Sequence, residues 1–148
     1  MRLVAAAIPL LLFAHSALAD ELVTIESKHS VKETLDRLTA TLDKRGIKPV
    51  ARVDHAAGAK AVGMELAPTE VLIFGNPRLG TPLMQSDPKI GIDLPMKVLA
   101  WQDKAGKVWV AYTAPEMLKA RHGITDRDEV FGAMATALHG LTKAASGP

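Results

Sequence analysis

The 148-residue chain contains no cysteine. That absence removes disulfides, thiol nucleophiles and thiolate metal sites together. There is no charge excess either: 18 Lys and Arg face 16 Asp and Glu, a net charge of +2. Such a balance carries no electrostatic footprint for nucleic acid or anionic lipid. After residue 19 no stretch approaches the ~18 consecutive apolar residues of a spanning helix, so a soluble mature protein is expected. Three chemical signatures are missing as well. No glycine-rich loop ends in Lys-Ser or Lys-Thr, no serine sits in a nucleophile-elbow setting, and no Met-x-x-Met or His-x-His cluster occurs.

What is present begins with a leader. Arg2 supplies a short positive region, and Leu3 to Phe13 is almost entirely apolar. Ala17-Leu18-Ala19 before Asp20 fits the small-x-small cleavage pattern. Residues 1–19 therefore read as a secretory signal peptide, which places the protein in the periplasm or outside the cell. Residues 20–148 are of ordinary size for one domain. An exported domain that does without disulfides must rely on its core.

The densest signal lies at residues 70–85. Val71-Leu72-Ile73-Phe74 is a continuous apolar run, which predicts a strand buried on both faces. Gly75-Asn76-Pro77 stops it, because proline pushes the preceding residue out of the helical region. Thr81-Pro82 reads as an N-cap followed by proline at the first helical position. The corner between strand and helix exposes backbone N–H groups, as a polar-ligand or anion site would. Rigid punctuation between two elements explains the same residues.

Earlier, Leu22 to Glu26 has strand composition. Ser30 and Glu33 form a capping box for a helix over about 31–45, with Val31, Leu35, Leu38 and Leu42 on one face. Ile47 to Val53 predicts a second strand, and Pro49 consigns it to an edge or a bulge. Asp54-His55 follows. His55 is a candidate general base or metal ligand oriented by Asp54; alternatively Asp54 caps a short helix and His55 lies in solvent. Met64 to Ala67 is a candidate short extended piece.

Met96 to Gln102 and Lys107 to Thr113 predict a hairpin turning through Asp103-Lys104-Ala105-Gly106, with Trp101 opposite Trp109 and Val98 opposite Tyr112. Both faces of this hairpin are apolar. One helical layer covers one face; the other calls for a partner subunit, a ligand or the 78–95 passage. Pro115 opens a short helix that ends at His122-Gly123. Thr125 is the expected cap of a last helix over about 126–143, with Val130, Phe131, Met134, Leu138 and Leu141 buried, His139 outside, and the last residues fraying.

Taken together, Phe74-Gly75-Asn76-Pro77, Gly80-Thr81-Pro82-Leu83-Met84, Asp93-Leu94-Pro95 and Asp103-x-x-Gly106-Lys107-Val108-Trp109-Val110 resemble the domain of unknown function 302 family. The Asp54-His55-Ala56-Ala57 step fits its pattern too. The resemblance spans about residues 22–124, with the leader and last helix as additions. It implies a small α+β sandwich, dimeric in known examples, and supplies no reaction. The element order read from the residues, β-α-β-α-β-α-β-β-α-α, leads independently to a two-layer sandwich of mainly antiparallel sheet with helices on one face.

The functional expectation is an exported binding or interaction module, self-associating, without a cofactor, a metal or an assigned catalytic residue. Its candidate ligand surface combines Asp54, His55, Gly75, Asn76, Gly80 and Thr81. The alternatives are an acid–base enzyme using His55 with Asp54 or Asp93, and a copper-handling protein drawing on Met64, Met84, Met96, Met117 and Met134. Each of those methionines also fits an apolar packing position.

Overall fold

The computed structural model describes residues 21–148; the leader expected at 1–19 lies outside them. Five strands make one sheet: β1 (Leu22–Ser27), β2 (Pro49–Asp54), β3 (Thr69–Phe74), β4 (Met96–Gln102) and β5 (Val108–Thr113). Their spatial order is β1-β5-β4-β3-β2, and every neighbouring pair is antiparallel. The helices are α1 (Val31–Lys44), α2 (His55–Ala61), α3 (Pro77–Ser86), α4 (Pro115–His122) and α5 (Asp128–Ser146), with a 3-10 turn at Pro88–Ile92. This is the expected α+β sandwich, in the expected order.

The local reasons are visible at the element ends. Ser30 accepts the Glu33 N–H at 3.2 Å and starts α1. Gly46, at φ +70°, reverses the chain after it, so that the Ile47 N–H reaches the Leu42 carbonyl at 3.0 Å. Pro49 begins β2, which is an edge strand, and the ladder to β3 shifts register between Pro49 and Ala51. Both features follow from the missing proline N–H.

Strand alternation then sorts the side chains. Leu72, Phe74, Met96, Val98, Ala100, Val110 and Tyr112 are buried in one cluster with Leu35, Leu38 and Leu42 of α1 and Phe131, Met134, Leu138 and Leu141 of α5. Truncating one of these leucines to alanine costs about 2–5 kcal/mol. A latch of charges holds α1 to the edge of the sheet. Arg52 on β2 bonds Glu70 on β3 at 2.6 Å and Asp36 on α1, and Lys32 bonds Asp36 at 2.7 Å.

The opposite face carries Val71, Ile73, Leu99, Trp101, Trp109 and Ala111. Trp101 pairs with Trp109, and Val71 with Leu99, which in turn pairs with Ala111. The 78–95 passage does not reach this face, because its contacts run to α5 and α4 on the helical side. Val71, Ile73, Leu99 and both tryptophans stay half-buried. The double burial expected of β3 is therefore not met within one chain: Leu72 and Phe74 are buried, while their alternating neighbours look out from the uncovered face.

Three element ends differ from expectation. Helix α3 begins at Pro77 with Asn76 as its cap, and Pro82 lies inside it. Asn76-Pro77 is itself a cap followed by proline at the first helical position, and it intercepts the chain before Thr81 can. Helix α5 starts at Asp128 without a side-chain cap; Arg127 instead donates to the Pro82 carbonyl at 3.2 Å, tying α5 to α3. The far end of α5 is held rather than frayed. Ala145 and Ser146 are buried, the Lys28 N–H bonds the Ser146 carbonyl at 3.0 Å, and His29 Nε2 lies 2.7 Å from the Gly147 carbonyl. Residues 64–67 form no strand; Met64 and Leu66 are exposed.

Candidate functional site

The corner at the end of β3 opens onto a cavity of about 640 Å³. That volume lies within the range of small-molecule sites. Four stretches of sequence wall it. Phe74 and Met96 close the sheet end, and Leu79, Gly80, Thr81 and Met84 come from α3. Met134, Ala137, Leu138 and Leu141 come from α5 at spacings that put them on one helical face. Arg45 and Ile47 arrive on the chain reversal after α1.

The corner itself is fixed by contacts. A Cβ placed on Gly75 would lie 3.1 Å from Cβ of Pro95, so glycine lets the 94–95 segment approach. Asn76 Oδ1 accepts the Arg78 N–H at 3.0 Å, and the Asn76 carbonyl accepts the N–H groups of Leu79 and Gly80 at 2.9 and 3.0 Å. Those donors are therefore spent on the turn, and the corner is not the bare cluster of N–H groups that the sequence suggested. The remaining lining is apolar apart from Arg45, Asn76 and Thr81.

The structure brings together four of the six candidate residues. Gly75, Asn76, Gly80 and Thr81 all line the cavity. It separates the other two. Asp54 pairs with Glu70 at one end of β3, whereas Phe74 at the other end pairs with Pro49. At the usual strand rise, the two ends are roughly 14 Å apart. Asp54 Oδ1 accepts the Ala57 N–H at 2.8 Å and caps α2, and His55 is exposed as the first residue of that helix. No hydrogen bond joins His55 to Asp54 among the described residues. The single surface expected from all six residues is thus corrected to a four-residue corner plus a distant helix cap. The physical reason is that the two segments flank opposite ends of the same strand.

Asp93, the other partner considered for His55, is engaged elsewhere. His122 Nε2 lies 2.7 Å from its Oδ2, and Arg121 donates to its Oδ1 at 3.0 Å. This clamp draws the turn ahead of Leu94 and Pro95 onto the end of α4. Nothing local in the sequence signals it, because Arg121 and His122 sit at a helix end, where positive charge is ordinary. Arg45, also at a helix end, is hidden in the same way, and the α5 wall is hidden because a buried stripe gives no sign of facing a void.

Among the described residues, no group of three or more His, Asp and Glu is arranged to hold a metal. Met84, Met96 and Met134 line the cavity, but no histidine joins them. Thioethers of this kind make an adaptable apolar wall.

Comparison with known proteins fits this architecture. The model of the domain of unknown function DUF302 matches residues 23–141, and so runs past the expected limit of 124 into most of α5. Fluoride-specific ion channel FluC 1 of Brucella suis biovar 1 is 48% identical over 127 residues, which cover 85% of this chain and 50% of that protein. FluC 2 of Brucella melitensis biotype 1 is also 48% identical over 127 residues, covering 85% and 47%. The chain spans about half the length of the curated relatives it matches. The crystal structure of an uncharacterized conserved DUF302 protein from Bacillus stearothermophilus superposes with a TM-score of 0.77 at 19% identity, covering 86% of this chain and 99% of that one. At that identity the likeness concerns the fold.

Proposed function

We propose, for a chain that belongs to the family of domain of unknown function DUF302, that it is an exported binding module whose ligand site is the corner cavity. The observation that carries this reading is the cavity itself: about 640 Å³, apolar, and walled by Gly75, Asn76, Gly80 and Thr81. Large apolar pockets with a few convergent polar groups are the usual form of small-molecule sites. Asp54 and His55 have no part in binding on this reading; they belong to a helix cap. The test is a thermal-shift screen of small apolar compounds against the parent protein, Gly80→Leu and His55→Ala. Stabilisation that Gly80→Leu removes and His55→Ala keeps supports the site. Equal stabilisation of all three overturns it.

Self-association is the second part of the proposal. Two copies would bury Val71, Ile73, Leu99, Trp101 and Trp109 face to face, removing from water the apolar side chains that one chain leaves half-covered. Sedimentation at tens of micromolar should give a dimer, and Leu99→Asp a monomer. A parent protein that sediments as a monomer ends this part. Export is tested by N-terminal sequencing of released protein: a start at Asp20 supports it, and a retained Met1 counts against it.

The channel-named relatives suggest a context rather than an activity. We propose that this domain corresponds to the half of each relative that does not form the channel, because it matches about half of each and among the described residues no helix is long and apolar enough to cross a membrane. Purified protein added to fluoride-loaded liposomes should leave efflux at the protein-free rate. Efflux above that rate would contradict the assignment.

A further inference from the structure

Resting on the cavity as the ligand site, we infer that its ligand is an amphipathic monoanion: an alkyl or acyl tail in the cavity and a carboxylate at Arg45. Arg45 is the one charged residue in the lining. Its guanidinium, like those of Arg37 and Arg78, forms no ion pair among the described residues, and of these three only Arg45 lines the cavity. No acidic side chain lines the cavity to oppose an anion. Position is also set by the fold. Arg45 is the C-cap residue of α1, and Gly46 at φ +70° turns the chain so that Arg45 and Ile47 both reach the wall.

The helix ends around the cavity do not settle the sign of the ligand. The C-terminal end of α1 is electronegative, and its Leu42 and Asp43 carbonyls are capped by the N–H groups of Ile47 and Gly46. The N-terminal end of α3, at Asn76 and Pro77, is electropositive and lines the same cavity. The two ends are of opposite sign, and Arg45 carries the one full charge among the lining side chains. Asn76 adds a second donor. Because its Oδ1 takes the Arg78 N–H, the amide Nδ2 remains to meet a head-group oxygen. The interior selects for a tail: Met84, Met134, Ala137 and Leu138 present flexible or small apolar surface with no buried polar group to satisfy.

Calorimetric titration with decanoate, decanol and decylammonium tests the assignment on the parent protein, Arg45→Gln, Arg45→Lys and Gly80→Leu. Arg45→Gln should weaken decanoate about fivefold, the upper range of an exposed ion pair, and leave decanol within about twofold, while Arg45→Lys restores decanoate. Decylammonium should bind more weakly than either. Lengthening the acid from eight to ten carbons should tighten binding by roughly three- to fourfold per methylene. Decanol binding that Gly80→Leu blocks, with no selective effect of Arg45→Gln on decanoate, overturns the anionic class and leaves the cavity standing. Decanoate and decanol that both fail to bind, or that bind Gly80→Leu as they bind the parent, overturn the cavity reading and this inference with it.

Discussion

His122 Nε2 and Asp93 Oδ2 lie 2.7 Å apart, across 29 residues of sequence, and both side chains are largely buried. The contact fastens the end of α4 to the segment that delivers Leu94 and Pro95 to the cavity. Replacing His122 with alanine leaves Asp93 with Arg121 alone. The expected loss is about 1–2 kcal/mol of stability. Amide hydrogen exchange should quicken at residues 88–95 before it does in β4 and β5. Unchanged exchange there would show that the clamp does not hold the wall.

Two glycines a few residues apart should respond oppositely to alanine. At Gly75 the new methyl would stand 3.1 Å from Pro95 Cβ, closer than ordinary contact, and Pro95 must shift. Gly75→Ala should destabilise by about 1–3 kcal/mol. At Gly80 the nearest atom is Leu94 Cδ1 at 3.7 Å, which is ordinary contact. Gly80 lies within α3, so Gly80→Ala should stabilise by about 0.5–1 kcal/mol. Urea titration of both variants reads the difference, and a shared sign would refute the packing explanation.

Asp103 organises the hairpin turn. Its Oδ2 accepts Trp109 Nε1–H at 2.8 Å, and its Oδ1 accepts the N–H groups of Ala105 and Lys107 at 2.9 Å each. The Trp109 bond, helped by the two backbone donors and the Lys107 charge, holds the Asp103 carboxyl below its ordinary range. A carboxyl whose folded pKa is depressed contributes stability above its unfolded value, near 3.9, and loses it as pH falls through the folded value. Asp103→Asn keeps one acceptor oxygen and loses the other. Its melting temperature should sit below the parent's at pH 7, and the gap should close as pH falls from about 4 towards 2. A gap that persists at pH 2 would contradict the carboxylate's role.

The Arg52 latch predicts a salt-sensitive loss. Arg52→Ala removes bonds to Asp36 and Glu70. The expected cost is about 1 kcal/mol at low salt, a fall of about 3–5 °C in melting temperature. Screening should reduce that difference at 1 M salt, where the Debye length is about 3 Å. Equal losses at both salt concentrations would point to packing by the arginine stem instead.

Much of the architecture was legible because its signals are local. The Ser30 cap, the Pro49 edge and the Asp103 turn each act within a few residues, and each appears where the residues require it. The four corner residues on the cavity were legible for the same reason. The start of α3 was misread because Thr81-Pro82 and Asn76-Pro77 carry the same signature, and the earlier one wins. The start of α5 was misread because Arg127 reaches the Pro82 carbonyl, a contact between residues 45 apart. The cavity itself depends on α1, α3 and α5 converging, and no periodicity records that. The separation of His55 from Asn76 follows from strand direction, which is knowable only once β2 is paired with β3.

Pro49 has a consequence for assembly. A sheet can lengthen without limit only if both of its outer strands accept a neighbour. β2 offers a proline, an irregular register and the charged latch of Arg52, so one border is closed to further strands. Growth by strand addition is left to the β1 border, and two copies joined edge to edge there would present only β2 borders to a third. Strand addition of that kind ends at two copies.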